Sequence, residues 1–116
     1  MSLTGDLKLK MCRKVVAAAG TEEALVAGSR SAWRCIAIRI RAYTTNTGNI
    51  YVGSQAGLIS STDYSDILEP GEVWEARVGD YDRKMGAFLN MTEIWLDADV
   101  NGDGVSYTAL MEMEPA

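Results

Sequence analysis

Residues 97–107, DADVNGDGVSY, contain the side chains of this sequence that are best suited to bind a metal ion. Oxygen-bearing side chains recur there at every second position, at Asp97, Asp99, Asn101 and Asp103. An EF-hand calcium loop needs oxygen ligands at positions 1, 3 and 5, glycine at 6 and a bidentate glutamate at 12. In the two registers that fit the glycines, position 12 is Thr108 or Leu110. The closing carboxylate is missing, so a calcium site is the weaker interpretation.

The stronger interpretation of the same residues is a β-hairpin. Asn101-Gly102 is the dipeptide preferred in two-residue type I′ turns, because both positions need positive φ. A hairpin folded there would pair apolar residues on one face, namely Ala98 with Val105, Leu96 with Tyr107 and Ile94 with Ala109. The other face would receive mostly polar pairs, Trp95 with Thr108 and Asp97 with Ser106. A one-residue shift would reverse every side chain, so this sorting favours the hairpin.

The chain contains no histidine. Histidine is the commonest general base and metal ligand, and the Ser-His and Cys-His nucleophile pairs require it. No pair of carboxylates stands out by its spacing, so we expect neither enzymatic activity nor a cofactor. The two cysteines, Cys12 and Cys35, are too few for a disulfide framework and are expected to be reduced thiols.

Basic residues are concentrated in the first third of the chain. The chain has a net charge of -5, yet residues 1–41 carry eight of the eleven basic residues and only three acids. The acidic remainder argues against nucleic acid as the main partner, and the asymmetry favours protein–protein contact. The residues that we expect to form such contacts are Lys8, Lys10, Arg13, Lys14, Arg39, Arg41 and Trp95.

Alternation of apolar and polar residues with period 2 predicts the elements that position these side chains. About eight short strands are expected, at residues 7–16, 24–26, 33–43, 49–53, 58–59, 73–78, 92–98 and 105–111. In the strand at 33–43, Ile36, Ile38, Ile40 and Ala42 would share a face opposite Arg39 and Arg41. Turn residues separate the strands, which predicts an all-β fold, an antiparallel β-sandwich or small jelly roll. Residues 79–91 are the least regular stretch.

The 116 residues are the length of a single domain, with residues 1–14 as a basic N-terminal arm or an edge strand. No apolar run approaches the ~20 residues of a membrane span, and the N-terminus lacks the apolar region of a signal peptide. We therefore expect no membrane contact and synthesis in the cytoplasm.

Three segments together, NTGNIYVG (46–53), LEPGE (68–72) and IWLDADVNGDGVSY (94–107), resemble small β-sandwich structural proteins of tailed-bacteriophage virions. The resemblance covers residues 25–107, and its motifs are turns and strands. It implies a non-enzymatic role in capsid decoration, or as a head-fibre or tail-associated protein. It also implies a homo-oligomer, for which a trimer is one candidate, in contact with other virion proteins. The longer basic N-terminus and the stretch at 79–91 depart from the pattern.

A different class of function stays open beside the virion role. Sugar-binding sandwiches use exposed aromatic rings flanked by Asp and Asn, and Trp95, Asp97 and Tyr51 could form such a lectin-like site.

Overall fold

The structure, a computed structural model, describes residues 7–26, 34–54, 64, 66–79, 82, 85–86 and 88–112. Nine β-strands lie in these ranges. They are β1 (Leu7–Val15), β2 (Glu23–Ala24), β3 (Arg34–Ala42), β4 (Ile50–Gly53), β5 (Asp66–Leu68), β6 (Val73–Arg77), β7 (Leu89–Asn90), β8 (Trp95–Ala98) and β9 (Gly104–Glu112). No helix in these ranges is long and apolar enough to cross a membrane.

The strands form two antiparallel sheets. Sheet A has the order β1-β9-β3-β6, with β7 also paired to β3, and sheet B has the order β2-β8-β4-β5. The two sheets enclose one hydrophobic core, and this confirms the predicted antiparallel β-sandwich. The predicted strand at 58–59 lies outside the described residues, and β5 and β7 were not predicted.

Alternation along β3 and β9 supplies much of the core. Ile38, Ile40 and Ala42 on β3 are at most 2% exposed and face inward, whereas Arg39 and Arg41 between them are exposed, as predicted. The full core cluster is Val16, Leu25, Val26, Cys35, Ile38, Ile40, Ala42, Ile50, Val52, Leu68, Met91, Ile94, Leu96, Ala98, Val105, Tyr107, Ala109 and Met111. Trp74 and Ala76 of β6 pack against this cluster, in agreement with their shared parity.

A β-bulge interrupts the alternation of β3 at its start. Cys35 pairs with Met111 and Ala37 pairs with Leu110, so Ile36 is an extra residue on its strand. As a result Cys35, and not the predicted Ile36, belongs to the core cluster, although Ile36 is itself buried. Burial raises the pKa of the Cys35 thiol to about 11, and both cysteines are free thiols.

The predicted hairpin at Asn101-Gly102 is wrong. β8 pairs with β2 and β4 in sheet B, whereas β9 pairs with β1 and β3 in sheet A. Residues 99–103 therefore cross from one sheet to the other. The apolar residues of both strands still face one core, but from opposite sides. The alternation of apolar and polar residues along β8 and β9 is the same whether the two strands pair in one sheet or face each other from two sheets. This alternation therefore could not distinguish a hairpin from a crossing between sheets.

The turn itself is also of another type. Gly102 has φ of +88°, but no described residue other than glycine has positive φ, and so Asn101 lacks the conformation that a type I′ turn requires. The N–H of Asp103 donates to the carbonyl of Val100 at 3.2 Å, which places Gly102 third of four residues, as in a type II turn. The predicted strand at 92–98 begins only at Trp95, because Met91–Glu93 forms a 3-10 turn capped by Asn90.

Candidate interaction surface

The four candidate calcium ligands hold the connections on either side of them in place. Asp97 accepts a hydrogen bond from Gly20 N at 2.9 Å, and Asn101 accepts one from Ala19 N at 2.7 Å. Asp97 lies on the face of β8 away from the core, as predicted, but its strand partner is Tyr51 and not Ser106. The loop after β1 covers it, so that Asp97 is only 2% exposed.

The other two candidates bind the loop between β3 and β4. Asp103 accepts hydrogen bonds from the N–H groups of Thr47 and Gly48, at distances down to 2.8 Å. Asp99 accepts the Asn49 N–H and, at 2.7 Å, the hydroxyl of Tyr51, and this hydrogen bond is the main reason that the pKa of Tyr51 is raised to about 12. In the described part of the chain, no group of three or more His, Cys, Asp or Glu side chains is arranged to hold a metal ion. The hydrogen bonds of these four side chains fix the loop after β1 and the loop between β3 and β4 to residues 97–103.

The solvent-facing side of sheet A, which we call the outer face, forms a regular grid across β1, β9, β3 and β6. The first row is Leu9, Leu110, Ala37 and Arg77, the second is Met11, Thr108, Arg39 and Glu75, and the third is Arg13, Ser106, Arg41 and Val73. The grid thus brings three of the predicted contact residues, Arg13, Arg39 and Arg41, onto one surface.

Apolar side chains lie beside these arginines. Leu9 is 60% exposed and Met11 is 70% exposed. A shallow, open depression of about 620 Å³ lies over the first two rows, with Leu9, Ala37 and Leu110 among its lining residues and Arg39 and Arg77 beside them. Large exposed apolar side chains grouped in this way are typical of a contact site.

The outer face carries mostly positive charge. Its described side chains include four arginines, Arg13, Arg39, Arg41 and Arg77, and one acid, Glu75. Glu75 lies 3.4 Å from Arg39, with both side chains at least 60% exposed, and ion pairs of this kind contribute little to stability. The face therefore combines an apolar patch with excess positive charge.

The lysines of β1 do not join the outer face. Lys10 and Lys14 have the opposite parity to Leu9 and Arg13 and lie at the edge of the seam between the sheets. Lys14 Nζ binds Glu23 Oε1 at 2.9 Å and so links β1 to β2 across that seam. Lys8 lies in the same edge strand.

Trp95 lies on the other sheet. It pairs with Ala24 and Gly53 on sheet B and is half-buried. Asp97 and Tyr51 occupy the adjacent row, so the structure does bring the three lectin-like candidates together. However, Tyr51 is 5% exposed, its ring packs on Tyr64 at 5.2 Å between centroids, and its hydroxyl is bound to Asp99. The Tyr51 hydroxyl and the Asp97 carboxylate, which would bind a sugar, therefore already form hydrogen bonds within the protein.

Sequence analysis did not predict that apolar side chains would lie on the outer face. The alternating LKLKM of β1 does signal two chemically different faces, but alternation alone does not say which face is buried. Here Lys10 and Lys14 lie toward the seam and Leu9 and Met11 toward solvent.

Comparison with known proteins identifies no relative. No protein-family model, no curated protein and no solved structure matches the chain.

Proposed function

We propose that the chain is a non-enzymatic structural protein of a bacteriophage virion, which acts through protein–protein contacts at the outer face of sheet A. The observation that carries the contact surface is the grid in which exposed Leu9 and Met11 lie beside Arg13, Arg39 and Arg41. The virion setting rests on the resemblance of the turn and strand motifs at 46–53, 68–72 and 94–107.

The chemistry of the outer face fits a protein surface of opposite charge. Arginine and methionine are enriched in protein interfaces, where apolar residues at the centre are buried and charged residues surround them. An acidic surface with an exposed apolar centre would be complementary to this face. Complementary charge would raise the rate of encounter and select the partner, while the apolar contact would supply most of the affinity.

Mass spectrometry of purified particles, from the phage that encodes the chain, tests the virion role directly. We expect the chain in stoichiometric amount after the particles are freed of soluble protein. Its absence from them would contradict the proposal.

Co-sedimentation tests the surface. Purified chain should bind particles that lack it, and the double variant Met11→Asp, Arg39→Glu should weaken binding at least tenfold. Trp95→Ala is the matched control, because Trp95 lies on sheet B, and it should bind normally. The opposite pattern would place the contact on sheet B. Binding of a specific sugar on a glycan array, lost in Trp95→Ala, would favour the carbohydrate function instead.

A further inference from the structure

The two edges of the sandwich carry opposite charge. β1 (Leu7–Val15) contains four basic residues and no acid, and one of the four, Lys14, is paired with Glu23 of β2, whereas residues 66–77, which span β5, the turn after it and β6, contain four acids and one basic residue, Arg77. Those acids are Asp66, Glu69, Glu72 and Glu75, and all four are exposed.

Both edges also have backbone available for pairing. Among the described strands, β1 and β6 are the first and last of the main path of sheet A, so each has a strand neighbour on one side only. An unpaired edge presents a row of N–H and C=O groups that can bind another strand.

The direction of the strands selects one mode of association. Four antiparallel strands alternate in direction from β1 to β6, so β1 and β6 run opposite to each other. If a second copy is placed beside the first in the same orientation, its β1 runs antiparallel to β6 of the first. Pairing β1 with β1 about a two-fold axis would instead place eight basic residues against one another.

We propose that copies of the chain associate head to tail, with the basic edge at β1 of one copy against the acidic β5–β6 edge of the next. Sheet A then continues from copy to copy. A head-to-tail contact generates a closed ring if its rotation closes and a filament if it does not. This inference goes beyond the proposed contact at the outer face, because it uses the edges of the sandwich and leaves the centre of the outer face open to another protein.

Charge exchange tests the contact. The basic-edge variant Lys10→Glu, Arg13→Glu and the acidic-edge variant Asp66→Lys, Glu69→Lys should each be monomeric in sedimentation velocity at 0.1 M salt, where the wild type forms multiples of 12.6 kDa. The wild-type assembly should weaken at 1 M salt, because the Debye length falls from ~10 Å to ~3 Å.

Complementation gives the decisive result. An equal mixture of the two variants should form two-chain complexes, since the unchanged basic edge of one variant can pair with the unchanged acidic edge of the other. Glu93→Lys is the matched control, because it reverses an exposed charge next to β8, an interior strand of sheet B, and should leave assembly unchanged. Hydrogen exchange at low salt should protect amides of Val73–Arg77 and Leu7–Val15 in the assembled wild type.

A wild type that stays monomeric at 0.1 M salt would overturn the inference, as would folded variants that fail to complement each other. Neither result would bear on whether the chain is found in particles. Circular dichroism establishes that each variant is folded. The acidic-edge substitutions are exposed and so provide a test that does not depend on the β1 variant.

Discussion

The side-chain amide of Asn46 forms two hydrogen bonds with the backbone of Gly104. Nδ2 donates to the Gly104 carbonyl and the Gly104 N–H donates to Oδ1, each at 2.9 Å, and Asn46 is 8% exposed. The amide thus pairs with the first residue of β9 as a neighbouring strand would.

Asn46→Asp should destabilise the fold by about 2–3 kcal/mol, because it replaces the donor with a second acceptor facing a buried carbonyl. A urea titration measures the loss. Asn101→Asp is the matched control, since its exposed side chain only accepts a hydrogen bond and keeps that ability. Equal losses in the two variants would contradict the role given to the Asn46 amide.

Gly102 and Gly104 should respond differently to substitution. Gly102 has φ of +88° with nothing within 4 Å of an added Cβ, whereas a Cβ on Gly104 would lie 2.5 Å from the Lys14 carbonyl oxygen. We expect Gly102→Val to cost about 1 kcal/mol or more from backbone strain, and Gly104→Ala to cost about 3 kcal/mol from overpacking. Gly102→Asn should recover most of the stability, because Asn tolerates positive φ. Gly104→Asn should not. Denaturant titration of the four variants tests both causes, and recovery at position 104 would show that space is not the constraint there.

The carboxylate of Glu23 should make the free energy of unfolding depend on pH. Burial acts to raise its pKa, but hydrogen bonds from Lys14, Ala18 and Ala17 and the charge of Lys14 together hold the pKa below its ordinary value. A lowered pKa stabilises the fold above the unfolded pKa, near 4.5, and that stability is lost as the pH falls through the folded value.

The wild type should therefore exceed Glu23→Gln by at most about 1 kcal/mol above pH 5, since the pair is partly screened by water. This difference should narrow as the pH falls below 4.5. Thermal unfolding of both proteins across pH 3–7 measures it. Glu22→Gln, on the neighbouring residue, serves as the control. A difference that grows on acidification would contradict the assigned direction.

Calcium should have little effect on stability. The oxygens of Asp97, Asp99, Asn101 and Asp103 already accept hydrogen bonds from the flanking loops. We expect millimolar calcium or a chelator to leave the melting temperature unchanged, as measured by scanning calorimetry. A rise of many degrees with calcium would show that these oxygens turn toward a cation.

Much of the architecture was predictable from the sequence because it rests on local alternation. The exposure of Arg39 and Arg41 and the inward faces of Ile38 and Ile40 follow from residue parity. Which strands pair does not follow from it. Ala98 and Val105 face the same core whether their strands are hydrogen-bonded neighbours or lie in opposing sheets, and only contacts distant in sequence decide between these arrangements.

Only the arginines of the contact surface, and not its apolar residues, could be predicted from the sequence, for a related reason. Arg39 and Arg41 could be placed outside because their neighbours on β3 are isoleucines. Leu9 and Met11 could not, because the strand that carries them alternates with lysine and its burial depends on where sheet B ends. The cover over Asp97 depends in turn on the loop after β1, whose position no local pattern specifies.

The pairing of β1 with β9 has a consequence for synthesis on the ribosome. β9 lies between β1 and β3, and it is the last strand to be translated among those described. Until residues 104–112 emerge, β1 lacks its one neighbour among the described strands, and β3 lacks one of its own. A nascent chain in that interval would carry Leu9 and Met11 on a segment whose backbone N–H and C=O groups have not yet paired with β9. The four positive charges of β1 would then repel the same segment on adjacent nascent chains, and so delay aggregation until the closing strand arrives.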